Sequence, residues 1–436
     1  MFGLFSKKGK KAAKEFLSQA EKVYNYRRDA MPEGDSALMF SLLNEMEELI
    51  LDGKAESHEF KKGEEKLESL MRKYGGMIYP LSSISDYVDT IIVAGILAIG
   101  IRSFFLQPFK IPTNSMYPSF YGMTSRVYKA GENSPALPEK IWRSIRLGAW
   151  NYNLASPADG ELLLEINSPA VMQQKGGAFG FEFKKTKKFG FWPSVEREYE
   201  FLAGGKKVSV AVPADFNLDG VIMQAYPVAG AKGSGTESGD QEDIIKYLNA
   251  AAAAGKFTER GGKLYMKLAD IKRGDRILNF DILGGDMLFV DRFTYNFRKP
   301  KVGEPIVFLT KYCEGMTRRN GGVPDDKYYI KRLVGEGGDT LQVRESTLYR
   351  NGNPAQGSHA FAKNAAKYGD YCGYQADGAL ADGATVKVSP KHYYAMGDNS
   401  KNSLDSRYWG EVPDRAVVGK SLIIFYPFTS RWGATK

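Results

Sequence analysis

A chain of 436 residues, 43% hydrophobic and 25% charged, is long enough to bury a large core and to form more than one domain. Its formal charge of +9 would suit nucleic acid or an anionic membrane face, yet no zinc spacing, phosphate loop or RNP-like run accompanies it, so no nucleic-acid partner is expected. Cys313 and Cys372 lie outside any Cys-x-x-Cys pair, which excludes a disulfide scaffold and a thiolate metal site and leaves one bridge open.

Residues 1–80 read as a separate helical region, cytoplasmic in character. Phe16, Leu17, Ala20, Val23 and Tyr24 recur at helical spacing, and so do Leu42, Leu43, Met46, Leu49 and Ile50, then Leu67, Leu70, Met71 and Tyr74. Ser36 is the expected cap of the second helix, with Met31–Asp35 and Gly53 marking its ends. The lysines of the first helix, Lys7 to Lys14, suit a solvated face or an anionic lipid surface.

An apolar stretch follows. Its uninterrupted part, Ile91 to Ile101, falls short of the roughly 18 to 20 residues that cross a bilayer. Counting residues 87–106, with Asp89 and Arg102 reaching the headgroups, gives about 30 Å of helix, and a single transmembrane span is expected there. Arg72 and Lys73 before it and Lys110 after it tilt the charge count slightly toward a cytoplasmic N-terminus.

From about residue 120 the chain reads as mainly β, with short apolar runs such as Met287–Val290 and Ser421–Tyr426 separated by Gly, Pro, Asn and Asp. Residues 107–124 and 281–436 are expected to form one β domain, interrupted by a long insertion over 125–280 that is itself mostly β. Within the insertion, Gly230–Gly239 is linker-like, Asp240–Ala254 suits a short helix, and Phe179–Phe183 with Phe189–Trp192 alternates like a hairpin. Its aromatics either pack on a neighbouring sheet or dip into a membrane interface.

The three histidines, His58, His359 and His392, lack the partners of a Ser-His-Asp triad. Lysine is the alternative base, because burial disfavours its charged form and leaves an amine able to take a serine proton. Ser115 stands between Pro112 and Pro118, whose fixed φ angles stiffen the segment, and Lys331 follows Tyr328-Tyr-Ile330 in a strand-like setting.

Four blocks carry a resemblance: Pro112-Thr-Asn-Ser-Met-Tyr-Pro118; Gly285-Asp-Met-Leu-Phe-Val-Asp-Arg292, continuing to Phe308; Tyr329-Ile-Lys-Arg-Leu-Val-Gly-Glu-Gly-Gly-Asp339; and Gly397-Asp-Asn-Ser-Lys-Asn-Ser-Leu-Asp-Ser-Arg407. In this order the chain resembles type I signal peptidases, membrane-bound serine proteases with a Ser/Lys dyad. The resemblance implies a largely antiparallel β-sheet catalytic domain behind an N-terminal helical region and a membrane anchor, in a bacterial cytoplasmic membrane, with catalysis on the outer face. It implies Ser115 as nucleophile and Lys331 as general base, Thr113 as an oxyanion donor, Ser403 as the hydroxyl orienting the lysine, and Phe109, Ile111 and Ile330 as pocket residues. Asp398, Asp405 and Arg407 are expected to brace the site, the last two as an ion pair. No cofactor or metal is expected, and the partners are signal peptides of exported precursors and membrane lipid. Gly337, Ser400 and Glu304 depart from the family pattern without removing a catalytic group. A Ser/Lys peptidase with a specialised substrate, and a non-catalytic membrane scaffold, remain the alternatives.

Overall fold

The computed structural model describes the backbone of residues 2–435, apart from 77, 81–82, 130–131, 133, 189–191 and 231–240. Residues 1–100 and 101–436 are two compact units.

In the first unit, helices Phe2–Arg27, Glu33–Leu51 and His58–Tyr74 bury the expected stripes: Leu17, Ala20 and Val23, then Leu42, Leu43, Met46 and Ile50, then Leu67, Leu70 and Met71. Side-chain burial of this kind, more than helix propensity, keeps such helices formed. Ser57 Oγ accepts from Phe60 N at 3.1 Å and caps the third helix. The second helix differs from expectation: it begins at Glu33, and Ser36 lies inside it, its N–H bonded to Pro32 O at 3.0 Å. Pro32, held in an extended conformation, stops the chain from being helical any earlier, and Glu33 and Asp35 complement the helix dipole. Gly53, at φ +75°, closes its other end.

A fourth helix, Ser83–Phe104, has 22 residues, about 33 Å. From Tyr87 to Phe104 its mean hydropathy is 1.6 and none of it is buried, so by length and composition it can cross a bilayer. The expected span ran to residue 106, but Leu106 already belongs to the strand Leu106–Lys110.

That strand opens the main sheet of the second unit. Eight strands pair antiparallel throughout, in the order Leu106–Lys110, Met287–Asp291, Val417–Tyr426, Pro305–Leu309, Tyr328–Glu336, His392–Met396 and Val412–Pro413, with Gly433–Ala434 added beside Val417–Tyr426. The mainly β antiparallel fold with N-terminal helices is the expected one. The sheet curls, so that Phe109 on the first strand and Tyr328 on the fifth meet edge to face, ring centroids 4.9 Å apart. A four-stranded sheet of Thr340–Arg344, Thr347–Arg350, Asn353–Pro354 and Thr385–Lys387 covers one end.

The insertion leaves and re-enters through neighbouring strands. Thr124–Val127 pairs with Arg276–Leu283, Thr124 opposite Leu283, so the boundaries expected at 124 and 281 fall inside one antiparallel stem. Beyond it stand a six-stranded sheet and helices Leu137–Leu147, Pro169–Lys175, Asp219–Ala225 and Gln241–Ala253, around a core of Leu162, Leu164, Phe179, Phe181, Tyr199 and Phe201. Phe179 and Phe181 therefore pack inward, whereas Phe183 is 54% exposed. Gly230 apart, the linker-like run and the Phe189–Phe191 part of the hairpin lie outside the described residues, as does the Trp192 side chain. Cys313 and Cys372 are free thiols, the first fully buried.

Candidate active site

Ser115 rides on a single 3-10 turn, Asn114–Met116, between extended Thr113 and Tyr117. Long-range contacts fix that turn. Gly122 N donates to Asn114 Oδ1 at 2.8 Å, Asn399 Nδ2 to Asn114 O at 3.1 Å, and Asn399 N to Ser115 O at 3.1 Å. Two glycines make room: a Cβ on Gly122 would lie 2.3 Å from Thr113 C, and one on Gly397 would lie 2.3 Å from Ser115 O.

Lys331 comes from the strand Tyr328–Glu336, opposite Ile306 of Pro305–Leu309. It is 4% exposed and Ser115 8%. Lys331 Nζ donates to Ser115 Oγ at 2.6 Å and to Ile330 O at 3.1 Å. Burial pushes its ammonium down to about 8, against the opposing pull of the Asp405 and Asp398 carboxylates. A buried amine that gives up its proton near neutral pH, in contact with a serine hydroxyl, is the arrangement that general-base activation of a nucleophile requires.

Two buried ion pairs hold this platform. Arg332 grips Asp398 with both arms, Nε to Oδ1 at 2.7 Å and Nη2 to Oδ2 at 2.6 Å, and its Nη1 donates to Gly303 O at 2.7 Å. Arg407 meets Asp405 at 2.9 and 3.0 Å, while Gly397 N donates to Asp405 Oδ2 at 3.0 Å. Asp405 and Arg407, expected as an ion pair, are thus in direct contact. Ser400 is buried under the same pair: its carbonyl accepts from Arg407 Nη2 at 2.6 Å, and its Oγ accepts from Gln375 N at 2.9 Å.

The other expected residues gather unevenly. Phe109, Ile111, Ile330 and Thr113 line, with Ser115 and Lys331, a cleft of about 710 Å³. Thr113 is exposed there. Ser403 departs from expectation: its Oγ is buried without a hydrogen-bond partner, and the lysine amine bonds Ser115 and Ile330 O instead. Ser403 Oγ lies 2.2 Å from where a Cβ on Gly397 would stand, a place that Ser115 O approaches to 2.3 Å. Asp215, from the insertion, also lines the cleft and was not expected there. Nor were Asn114, Asn399, Gly122 and Arg332 assigned roles from sequence. Among the described residues no group of His, Cys, Asp or Glu side chains converges to hold a metal ion. A larger hollow, about 1100 Å³, lies beside Ser119 and Arg332 and contains neither member of the Ser/Lys pair.

Residues 279–426 match the family model for signal peptidase, peptidase S26. Over that stretch the chain is similar to the signal peptidase family. The matched stretch holds Lys331, Asp398, Ser403, Asp405 and Arg407, and Ser115 lies upstream of it. Among curated relatives, probable signal peptidase I-1 of Synechocystis is 31% identical over 34% of this chain and 66% of its own length. Signal peptidase I S of Bacillus subtilis is 37% identical over 24% of this chain and 55% of its own. The chain thus spans between 55% and 66% of these two relatives. A crystal structure of a signal peptidase I from Enterococcus faecalis matches at 27% identity over 28% of this chain and 97% of that one, with a TM-score of 0.21.

Proposed function

We propose that this protein is a membrane-anchored serine endopeptidase that removes signal peptides from exported precursors. The observation that carries the reading is the 2.6 Å contact between Ser115 Oγ and a buried Lys331 amine whose affinity for a proton is lowered to about 8. With Lys331 neutral, its lone pair takes the Ser115 proton as Oγ attacks the scissile carbonyl. The lysinium then protonates the departing amine, leaving an acyl-enzyme and a neutral lysine. That lysine takes a proton from water, hydroxide adds to the ester carbonyl, and Ser115 leaves with the proton returned. The Ser115 N–H and the Thr113 hydroxyl, exposed to the cleft, supply the oxyanion donors of this reading.

The sheet supplies a place for the substrate backbone. Leu106–Lys110 ends the strand order, with Met287–Asp291 as its strand partner, and residues 328–331 face Pro305–Leu309 while His392–Met396 begins its pairing only at Arg332. Both edges flank the cleft, so an extended peptide can add as a strand, its small side chains directed at Ile111 and Ile330. In this reading helix Ser83–Phe104 is the anchor, with the N-terminal helices cytoplasmic and the catalytic unit on the outer face. Asp215 in the cleft wall favours, as a second reading, a narrower substrate set than that of a general processing enzyme. Purified protein in detergent, given a precursor whose signal peptide ends in Ala-x-Ala, is expected to release the mature chain cut after the last alanine, and the Ser115→Ala variant to release none. An intact precursor with active wild-type controls on other substrates would move the assignment to the narrower reading.

A further inference from the structure

Helix Leu137–Leu147 of the insertion is turned inside out. Its exposed apolar side chains are Leu137 (71% exposed), Ile141 (53%), Trp142 (60%) and Ile145 (59%), and the Glu139 carboxylate is exposed on the same helix. At about 100° per residue these four occupy one continuous arc, and Arg146, exposed as well, stands at its edge. Arg143 lies on the other side, 12% of its side chain exposed, whereas Glu139 and Arg146 are exposed. Arg143 meets the buried Asp281 carboxylate at 2.7 Å and donates to Tyr128 Oη at 2.8 Å, and Asp281 also accepts from Tyr128 Oη at 2.7 Å and from Asn151 Nδ2 at 2.8 Å. The backbone is tied down on the same side: Ser144 O accepts from Tyr426 Oη at 2.9 Å, and Arg146 O accepts from Phe428 N at 3.0 Å. Gly148, at φ +62°, closes the helix and lies close to Gly284.

A surface helix of a water-soluble domain shows the opposite arrangement, so the outward apolar face lacks a partner among the described residues. We infer that this face is a second membrane contact: the helix lies in the interface of an anionic bilayer, with Leu137, Ile141, Trp142 and Ile145 among the lipid acyl chains. The composition argues for lipid over a protein groove. Tryptophan at the rim of an apolar arc, with a guanidinium beside it, matches the headgroup boundary, where an indole sits half wet and a cation meets lipid phosphate. Trp150, two residues past the closing glycine and 64% exposed, continues the same character. The chain also carries a helix apolar and long enough to cross a bilayer, which makes lipid a surface this unit meets at high local concentration. The polar clamp beneath the helix holds the face outward before lipid arrives, so little ordering is needed on contact.

The test uses the full chain reconstituted in vesicles of phosphatidylglycerol and phosphatidylcholine in which a fraction of the acyl chains is brominated near the glycerol. Heavy-atom quenching should dim the intrinsic tryptophan emission, and Trp142→Phe should remove most of the quenchable part while leaving the unquenched part unchanged. Trp142 is exposed, so this variant keeps its fold. A companion variant, Ile141→Glu with Ile145→Glu, should reduce quenching at Trp142 at least twofold, its circular dichroism spectrum matching wild type. If the emission lost with Trp142→Phe proves to be the unquenched part, the face does not touch lipid and the inference is overturned. Protection of Trp142 from an aqueous quencher, at low lipid and in proportion to protein concentration, would overturn it in favour of a second copy of the chain.

Discussion

Arg332 and Asp398 form a bidentate ion pair that ties the strand of the base to the turn of the nucleophile, both side chains essentially unexposed. Arg332 follows Lys331 directly, and Asp398 precedes Asn399, whose N–H holds Ser115 O at 3.1 Å. Removing one partner leaves the other charge buried and unpaired, which typically costs about 3 to 5 kcal/mol. Asp398→Ala is therefore expected to lower stability by about that much in chemical denaturation and to reduce cleavage, because the Asn399 segment loses its anchor. Replacing both residues by apolar ones of similar size should cost less than the single change. A double variant less stable than Asp398→Ala would contradict this account.

The dyad predicts a specific failure of additivity. Ser115→Ala and Lys331→Ala each disable the same proton transfer, so each should abolish cleavage and the double variant should be hardly worse than either one. Thr113→Val should be milder, with one oxyanion donor worth at most roughly 3 to 4 kcal/mol of transition-state stabilisation. Initial rates on a labelled precursor, compared across the four variants, give the answer. Substantial turnover by Lys331→Ala would remove the lysine from the mechanism.

Gly397 offers a geometric test. A Cβ there would lie 2.2 Å from Ser403 Oγ and 2.3 Å from Ser115 O, and the second neighbour is backbone that cannot swing away. Gly397→Ala should therefore push the nucleophile turn off its position and lower kcat by about 100-fold or more, since an ångström of misplacement has that effect. Circular dichroism and a melting curve distinguish this from unfolding. Near-normal kcat would mean that the turn tolerates the shift and that Ser115 is less tightly positioned than its contacts imply.

How much of this was legible in the sequence depended on the range of the cause. The N-terminal stripes were readable because helical burial repeats every three or four residues, and Leu42, Leu43, Met46 and Ile50 are all buried. Ser115 and Lys331 stood out through flanking motifs, although 216 positions separate them. The supports of the site were not readable: Asn399 reaches Asn114 across 285 positions and Arg332 reaches Asp398 across 66, and no local pattern encodes such pairs. Helix Leu137–Leu147 was lost inside a segment read as mostly β, because its apolar residues face outward and give no stripe that packs on a core. Ser403 was assigned from the motif alone, and its hydroxyl is buried without a hydrogen-bond partner.

Specificity should follow from the walls of the cleft. Ile111 is buried and Ile330 partly so, and both face the space beside Ser115. Precursors with alanine at the first and third positions before the cut should be processed, while phenylalanine or leucine at either should block cleavage by overlap. Ile111→Ala and Ile330→Ala are expected to relax that limit, detectable as a changed ratio of kcat/KM between alanine and leucine substrates. Equal processing of bulky and small residues by the wild-type protein would place the recognition surface elsewhere.

The lysine base makes activity and stability move together with pH. With its folded-state pKa lowered by burial to about 8, Lys331 is mostly protonated at pH 7, so kcat should climb nearly tenfold per pH unit below 8 and level off above about 9. His359→Gln and His392→Gln should leave that limb in place. Lys331→Arg should be inactive, because a guanidinium keeps its proton. In the unfolded chain the same amine holds its proton up to about 10.4, so between about pH 8 and 10.4 the unfolded state binds more protons and stability rises with pH. Below pH 8 the folded protein carries the whole penalty of a buried charge, on the order of 3 kcal/mol for this displacement. Lys331→Met removes it. That variant should unfold at higher denaturant concentration than wild type at pH 7, with the gap narrowing through pH 8 to 10. A Lys331→Met protein less stable than wild type at pH 7 would mean that the amine is not held in a setting that disfavours its charge, and another group would then have to activate Ser115.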